Sequence, residues 1–249
     1  MHIPDGFVDA PTSAVAGAVA AGSVAVAARR CGEELGERQV PLAAVTAAFI
    51  FATQMLNFPV ASGTSGHLLG GVLAAVLVGP WAGVVCITVV LGVQALLFAD
   101  GGLTALGLNV VNLAVVGCLG GWLLYRALRA VLPDGALGVE LAAGLAAFAS
   151  VPLAAAAFVV EFAVGGTAAV DLGSVFAAMV GTHVLIGVGE GVITALAVGA
   201  VLGTRPDLVH GAGPPRPREV GAEEVAAGPG GALPRDRGAA RVSRHHGLC

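Results

Sequence analysis

The sequence has little charge. Asp, Glu, Lys and Arg make up only 11% of the 249 residues, against about 25% in a typical soluble domain. Hydrophobic residues make up 57% of the chain, and the mean hydropathy is +0.90, which leaves too little polar surface to cover a water-soluble globule. The composition therefore predicts a membrane protein whose partner is the lipid bilayer, with no nucleic-acid partner.

Lysine is absent, and all 12 basic residues are arginine. The four cysteines form no CxxC pair; they are Cys31, Cys86, Cys118 and Cys249. We therefore expect neither a disulfide framework nor a zinc site. The sequence also lacks the GxxxxGK[ST] phosphate loop, so we expect no ATP site in this chain.

A signal-peptide pattern is missing at the N-terminus. The opening residues MHIPDGFVDA carry no basic side chain, and the following apolar run ends in Arg29 and Arg30, so its positive flank is on the far side. We expect Met1 to be retained in the mature protein and to lie on the outer side of the membrane.

Seven apolar segments approach the length of about 20 residues that a membrane-spanning helix needs. They are 13–28, 40–59, 67–79, 82–99, 106–125, 141–160 and 173–202. Gly79-Pro80-Trp81 divides the block 67–99 because proline interrupts a helix, and without this division the count is six. The sequence predicts an all-α, polytopic transmembrane helical bundle of about seven spans.

The arginines predict the orientation of the bundle. With seven spans and the C-terminus inside, all 12 arginines are cytoplasmic, as the positive-inside rule requires. The outer segments then carry only acidic residues, namely Asp5, Asp9, Asp100 and Asp171. We expect the N-terminus outside and the C-terminus inside, in the plasma membrane of a prokaryote.

The composition changes after residue 203. Residues 1–203 form the predicted transmembrane domain, whereas 204–249 are rich in Pro, Gly, Arg and Glu and cannot bury a core. The sequence therefore predicts a disordered cytoplasmic tail over 204–249.

The position of His2 makes the N-terminus a candidate chelator. The Met1 α-amine and the deprotonated His2 amide nitrogen close a five-membered ring on a metal ion, and the His2 imidazole closes a six-membered ring. Three nitrogen ligands in one plane favour square-planar Ni²⁺ or Cu²⁺ and can hold Co²⁺. The turn residues Pro4-Asp5-Gly6 allow the terminus to fold back over the outer face.

His67 is the natural candidate for a fourth ligand. It follows the flexible run 61–66 at the outer start of the third span, on the same side as Met1 and His2. Spacing alone leaves other roles open, because a second-position histidine is often incidental and an interfacial histidine can cap a helix. Hydrogen-bond partners for the two rings are expected among nearby polar side chains, namely Asn57, Ser62, Thr64, Ser65, Asp5 and Asp100.

Two rival functions use other residues. Glu161, His183 and Glu190 are ionisable groups that a proton-coupled secondary transporter would need, although His183 and Glu190 can also bond to each other along one helix. Gly63-Thr64-Ser65-Gly66 matches the GxSG pattern of rhomboid-like serine proteases, with His183 as the base. Polar residues inside the spans are expected to tie helices together; they are Gln54, Gln94, Asn109 and Asn112.

Three segments resemble the CbiM/NikM family: MHIPDGF at 1–7, QMLNFPVASGTSGHLLGG at 54–71 and FADGGLTALGLNVVNLA at 98–114. Its members are substrate-binding membrane components of energy-coupling-factor transporters for cobalt and nickel, and the similarity covers roughly 1–203. The resemblance implies a square-planar nitrogen site made by Met1 (amine), His2 (backbone nitrogen and imidazole) and His67 (imidazole). Ni²⁺ or Co²⁺ would be the transported substrate, capped by residues 1–12.

The resemblance also implies partner proteins. The chain is expected to work with a transmembrane coupling protein (the T component), two cytoplasmic ATPase subunits and a small accessory membrane protein. ATP would be hydrolysed in those partners, so we expect this chain not to be an enzyme and assign it no catalytic residue. The sequence does not decide between nickel and cobalt.

Overall fold

A computed structural model describes residues 1–60 and 64–213, and most of these residues are helical. Seven helices follow one another at the seven predicted positions. They are α1 (Ala10–Glu34), α2 (Val40–Gln54), α3 (Gly71–Val78), α4 (Pro80–Leu97), α5 (Leu106–Arg129), α6 (Ala136–Gly165) and α7 (Leu172–Thr204). Two short strands, β1 (Phe58–Pro59) and β2 (Ser65–Gly66), pair antiparallel between α2 and α3. The predicted polytopic helical bundle is confirmed.

Five helices in the described part of the chain are long and apolar enough to cross a membrane, namely α1, α4, α5, α6 and α7. The helix α2 has 15 residues and α3 has 8. With a rise of 1.5 Å per residue, α3 covers about 12 Å of a hydrocarbon core that is about 30 Å thick. The third predicted span, 67–79, is therefore a short helix preceded by non-helical chain. All residues of α3 are buried, and of the non-helical residues 67–70 only Leu68 is partly exposed, so the bundle shields this irregular segment from lipid.

Sequence signals set several helix ends. Asp9 caps α1 and Asp171 caps α7, each by accepting a hydrogen bond of 2.9 Å from a backbone N–H three residues later. Gly79 has a φ of +93° between α3 and α4, and Pro80 begins α4. This break reverses the chain and explains why 67–99 forms two helices.

Contacts define two opposite ends of the bundle. At the first end, the backbone N–H of Thr104 donates to Asp5 (2.7 Å), and that of Thr167 donates to the Phe7 carbonyl (3.1 Å). At the second end, the turn at Gly79 lies against His210. Successive helices run alternately between these ends, as expected for seven passes.

The described chain stays packed against the bundle after residue 203. Pro206–Leu208 and His210–Ala212 form two 3₁₀ turns with Val209 buried between them. The Tyr125 hydroxyl donates to the Gly211 carbonyl at 2.7 Å. Residues 204–213 of the predicted tail therefore belong to the folded unit, and 214–249 lie outside the described residues.

Helices α6 and α7 pack most extensively, through glycines. A Cβ on Gly187 would lie 2.8 Å from the Phe148 carbonyl oxygen, and one on Gly191 would lie 2.8 Å from that of Gly144. Such close backbone approach needs residues without side chains. This close packing fixes the position of α7, and α7 contributes the buried polar side chains His183 and Glu190.

Candidate metal centre

The N-terminal segment is inserted into the first end of the bundle. Met1 and Ile3 are fully buried, and His2 is 4% exposed. Asn109 of α5 holds this segment, because its Oδ1 accepts from the Ile3 N–H (2.8 Å) and its Nδ2 donates to the Ile3 carbonyl (3.2 Å). Sequence reasoning assigned Asn109 to helix–helix contacts; in the structure it instead positions the two residues that precede Ile3.

The predicted turn at Pro4-Asp5-Gly6 forms and is anchored. Gly6 has a φ of +75°, and the Asp5 carboxylate accepts hydrogen bonds from both the N–H and the hydroxyl of Thr104. These bonds lower the pKa of Asp5 and keep its side chain ionised. The Phe7 ring then packs 5.3 Å from that of Phe162, which closes the segment over the bundle.

His2 and His67 meet inside this pocket. Their ring centroids are 4.3 Å apart and their planes make an angle of 29°. His67 is fully buried, and its Nδ1 bonds to the Leu68 carbonyl at 2.7 Å, so its Nε2 is buried without a hydrogen-bond partner in the described residues. The structure therefore brings together the imidazoles of the predicted ligands His2 and His67, next to the buried first residue Met1.

Two side chains hold the backbone that follows His67. Glu190 of α7 accepts hydrogen bonds from the N–H groups of Leu69 (2.8 Å) and Gly70 (2.7 Å). Gln54 of α2 donates to the Leu69 carbonyl at 2.6 Å. Non-helical backbone at membrane depth needs such partners, and here they also fix the position of His67.

Asp100 orients the His2 ring. Its Oδ1 lies 2.9 Å from His2 Nδ1, and its Oδ2 accepts from Asn57 Nδ2 at 2.8 Å. Burial by itself raises the pKa of Asp100, but the hydrogen bonds from His2 and Asn57 outweigh it and hold that pKa below its usual value. An ionised Asp100 thus accepts a hydrogen bond from His2, and Asn57 holds Asp100 in place by donating to its other oxygen.

The predicted chelate requires the His2 ring to turn. The six-membered ring with the His2 amide uses Nδ1, which here faces Asp100, whereas the buried Nε2 has no partner in the described residues. Rotation about the Cβ–Cγ bond moves Nδ1 to the opposite side of the ring. Binding through Nδ1 therefore breaks the His2–Asp100 hydrogen bond as it stands.

Burial favours the metal-binding protonation states of the first two residues. It lowers the pKa of the Met1 ammonium well below its usual value, and Asp100 opposes this effect. Burial also lowers the pKa of His2. Because neutral amine and neutral imidazole are the forms that bind a metal ion, the pocket keeps both groups available as ligands near neutral pH.

Buried polar atoms without a partner in the described residues gather around the pocket. They include Nε2 of His2, His67 and His183, and Oγ of Ser65. Each such atom costs about 1–3 kcal/mol when it lacks a partner, and a metal ion is a partner for imidazole nitrogen. Within 1–60 and 64–213, no three His, Cys, Asp or Glu side chains are placed to hold a metal ion. The predicted set needs only two such side chains, since its other donors are the amine and a backbone nitrogen.

The remaining predicted neighbours lie in different places. The Thr64 hydroxyl donates to Met179 Sδ at 3.6 Å. Ser65 is half-buried, with its hydroxyl oxygen turned inward. Ser62 lies outside the described residues.

The residues of the rival functions are bound to separate neighbours. Glu161 accepts from Asn112 Nδ2 at 2.7 Å, Glu190 holds the backbone after His67, and His183 Nδ1 bonds to its own helix at 2.7 Å. The alternative of a hydrogen bond between His183 and Glu190 is therefore not formed among the described residues. In the described structure Ser65 Oγ has no partner, so no serine–base pair is formed.

Comparison with known proteins gives consistent matches. Residues 2–208 match the family described as CbiM, cobalt uptake substrate-specific transmembrane region. The chain is 40% identical over 209 residues to a putative metal transport protein of Haloquadratum walsbyi, covering 84% of this chain and 93% of that protein. It is 39% identical over 210 residues to a putative fused nickel transport protein, NikMN, of Archaeoglobus fulgidus, covering 84% of this chain and 68% of that protein. The crystal structure of a truncated transition metal transporter superposes with a TM-score of 0.76 at 32% identity, over 82% of this chain and 99% of that one.

Proposed function

The chain belongs to the CbiM family of cobalt and nickel transport components, and on this premise we propose that it captures Ni²⁺ or Co²⁺ through its own N-terminus. The observation that carries the proposal is the stacking of His2 on His67 beside the buried Met1 amine. The family accounts for metal transport, and the geometry supports a particular set of ligands.

Four nitrogen atoms make up the proposed site. Met1 supplies its amine, His2 supplies its amide nitrogen and Nδ1, and His67 supplies Nε2. A planar set of four nitrogens suits Ni²⁺ and disfavours Mg²⁺ and Ca²⁺, which require oxygen ligands in octahedral or larger shells. Cu²⁺ binds such sites more tightly than Ni²⁺, so selection against copper has to come from its low supply or from the release step.

We further propose that release is driven by ATP in partner proteins. The sequence has no phosphate loop, so hydrolysis is assigned to two cytoplasmic ATPase subunits acting through a transmembrane coupling protein, with a small accessory membrane protein at the entry side. Seven arginines follow residue 203, and under the positive-inside rule they support a cytoplasmic C-terminal end of the bundle in a prokaryotic cell.

Uptake of radiolabelled Ni²⁺ by cells tests this coupling. The chain is expressed with and without the coupling and ATPase subunits of the same organism, each time with and without a protonophore, at matched ATP levels. We expect uptake that requires the ATPases and does not respond directly to the proton gradient. Uptake by the chain alone that a protonophore abolishes would instead establish a secondary transporter.

A further inference from the structure

His183 carries a buried nitrogen that the proposed chelate does not use. The residue is fully buried in α7, and its Nδ1 bonds to the Met179 carbonyl of its own helix at 2.7 Å. Its Nε2 has no hydrogen-bond partner in the described residues. One side of the ring is therefore anchored, and the other presents a free nitrogen ligand.

The His183 ring lies against the segment that carries His67. The segment 64–70 runs alongside α7: the Thr64 hydroxyl contacts Met179, and the N–H groups of Leu69 and Gly70 bond to Glu190. Between these two contacts, a Cβ on Gly66 would lie 3.7 Å from His183 Cε1, the ring carbon between its two nitrogens. His67 directly follows Gly66, so the segment that carries His67 passes next to the His183 ring.

Among the described residues, no other group in the neighbourhood bonds to this nitrogen. Glu190 lies two turns along α7, and both of its oxygens are taken by the backbone after His67. The hydroxyl oxygen of Ser65 is buried and without a partner in the described residues, so it leaves His183 Nε2 unsatisfied. Two buried imidazole nitrogens without a hydrogen-bond partner in the described residues, on His183 and on His67 of the adjoining segment, are an arrangement expected where an ion is held at times.

We propose that Nε2 of His67 and Nε2 of His183 form a second metal position, through which Ni²⁺ or Co²⁺ enters and leaves the N-terminal chelate. The inference rests on the proposed function, because it takes His67 as a ligand in both positions. On leaving, the bonds from the ion to the Met1 amine and the two His2 nitrogens break and one bond to His183 forms. The ion stays divalent, and the His2 amide nitrogen takes up one proton from water.

Two neutral imidazoles suit such a role. Imidazole is a good ligand for Ni²⁺, Co²⁺, Cu²⁺ and Zn²⁺, but two of them hold an ion far less firmly than four nitrogens in chelate rings. The ion can thus pass on after the terminal nitrogens release it. Because His67 stays coordinated to the ion throughout the exchange, the ion is never without a protein ligand inside the bundle.

The test removes the His2 imidazole from the terminal chelate and looks for the binding that is left. The full-length protein carrying His2→Ala is purified without a tag and titrated with Ni²⁺ alone by equilibrium dialysis. We expect one weakly bound ion per chain. Adding His183→Asn should lower this residual affinity by at least about tenfold, because the asparagine amide can still donate to the Met179 carbonyl but has no nitrogen where Nε2 was.

A matched control is His210→Asn in the same His2→Ala protein, since His210 lies at the opposite end of the bundle and should not affect the residual site. Thermal unfolding of each variant reports folding separately. Residual binding that is absent, or that His183→Asn leaves unchanged in a folded protein, overturns the second position. Tight binding by the native protein in the same experiment keeps the proposed function apart from this failure, whereas equal binding by the native and His2→Ala proteins contradicts the terminal chelate itself.

Discussion

At the scale of single residues, the pocket changes the chemistry of an ordinary N-terminus. A free α-amine and a free imidazole hold protons at or near neutral pH, and proton and metal compete for the same lone pair. Burial of Met1 and His2 weakens the proton's side of this competition. The ionised Asp100 supplies a negative charge beside the pocket, which offsets part of the cost of burying a metal cation there.

The fourth ligand is tested by His67→Ala. Removing this imidazole opens the square plane, so we expect Ni²⁺ affinity to fall by at least about 100-fold, at or beyond the upper limit for loss of an outer hydrogen-bond partner. Equilibrium dialysis of the purified protein measures the change. Affinity within a few fold of the native value would remove His67 from the site.

The outer partner is tested by Asp100→Asn. The asparagine keeps a hydrogen-bonding group but removes a negative charge that lies beside the site whichever way the His2 ring turns, so affinity for the cation should fall by about tenfold or more. Asn57→Ala should have a smaller effect, because Asn57 reaches His2 only through Asp100. An Asp100→Asn protein that binds Ni²⁺ as tightly as the native one would show that this carboxylate does not support the site.

The pH dependence follows from the protons that the metal displaces. The pKa values of the Met1 amine and of His2 are lowered, so fewer protons have to leave these two groups on binding, whereas the His2 amide proton is lost in every case. Apparent affinity should therefore fall about tenfold per unit as pH decreases near neutrality. It should fall more steeply once the pH drops below the lowered pKa values. Affinity that does not depend on pH between 6 and 8 would contradict amide coordination.

At the scale of secondary-structure elements, the irregular segments carry the site and the helices hold them. The residues 1–9 and 64–70 have few hydrogen-bonding partners within themselves. Asn109, Gln54 and Glu190 supply those partners from three helices. A buried polar residue on a helix that faces non-helical backbone is therefore part of the positioning of the metal ligands.

Glu190→Gln tests this support. Glu190 accepts two backbone N–H groups, whereas glutamine offers one acceptor oxygen and turns an NH₂ group toward the other N–H. We expect a loss of about 1–3 kcal/mol in the free energy of unfolding, together with weaker Ni²⁺ binding.

Glu161→Gln is the matched control for that change. Glu161 accepts a single hydrogen bond, from Asn112, which the glutamine oxygen can also accept. The control should therefore unfold close to the native temperature in a thermal scan. Equal effects of the two substitutions would show that the loss arises from removing a buried charge and not from freeing the backbone after His67.

The sequence predicts the long helices well because their apolar runs and their caps at Asp9 and Asp171 act locally. It predicts the break at Gly79-Pro80 for the same reason. It does not predict that α3 has only 8 residues, since the run 67–79 is apolar throughout and its non-helical start depends on partners more than 100 residues away, such as Glu190. The same distance explains why the role of Asn109 was missed.

At the scale of the whole molecule, the N-terminus occupies the interior of one end of the bundle. Met1 contributes to the buried core, and the turn that follows is fixed to the α4–α5 and α6–α7 connections. A metal ion bound here would in addition tie the first two residues of the chain to the segment that carries His67. Binding should raise the thermal unfolding temperature as well as fill the site.

The most direct test of the account compares the native protein with one that carries Gly-Ser-Gly-Ser before Met1. The extension removes the terminal amine from the site and leaves every side chain in place, whereas a single added residue would put His2 third in the chain, where it can form another chelate. Both proteins are titrated with Ni²⁺, Co²⁺, Cu²⁺ and Zn²⁺. The account predicts that the extended protein loses at least about 100-fold in Ni²⁺ or Co²⁺ affinity, or about 2.8 kcal/mol of binding free energy. Equal affinity of the two proteins would contradict it, because the metal would then bind without the Met1 amine.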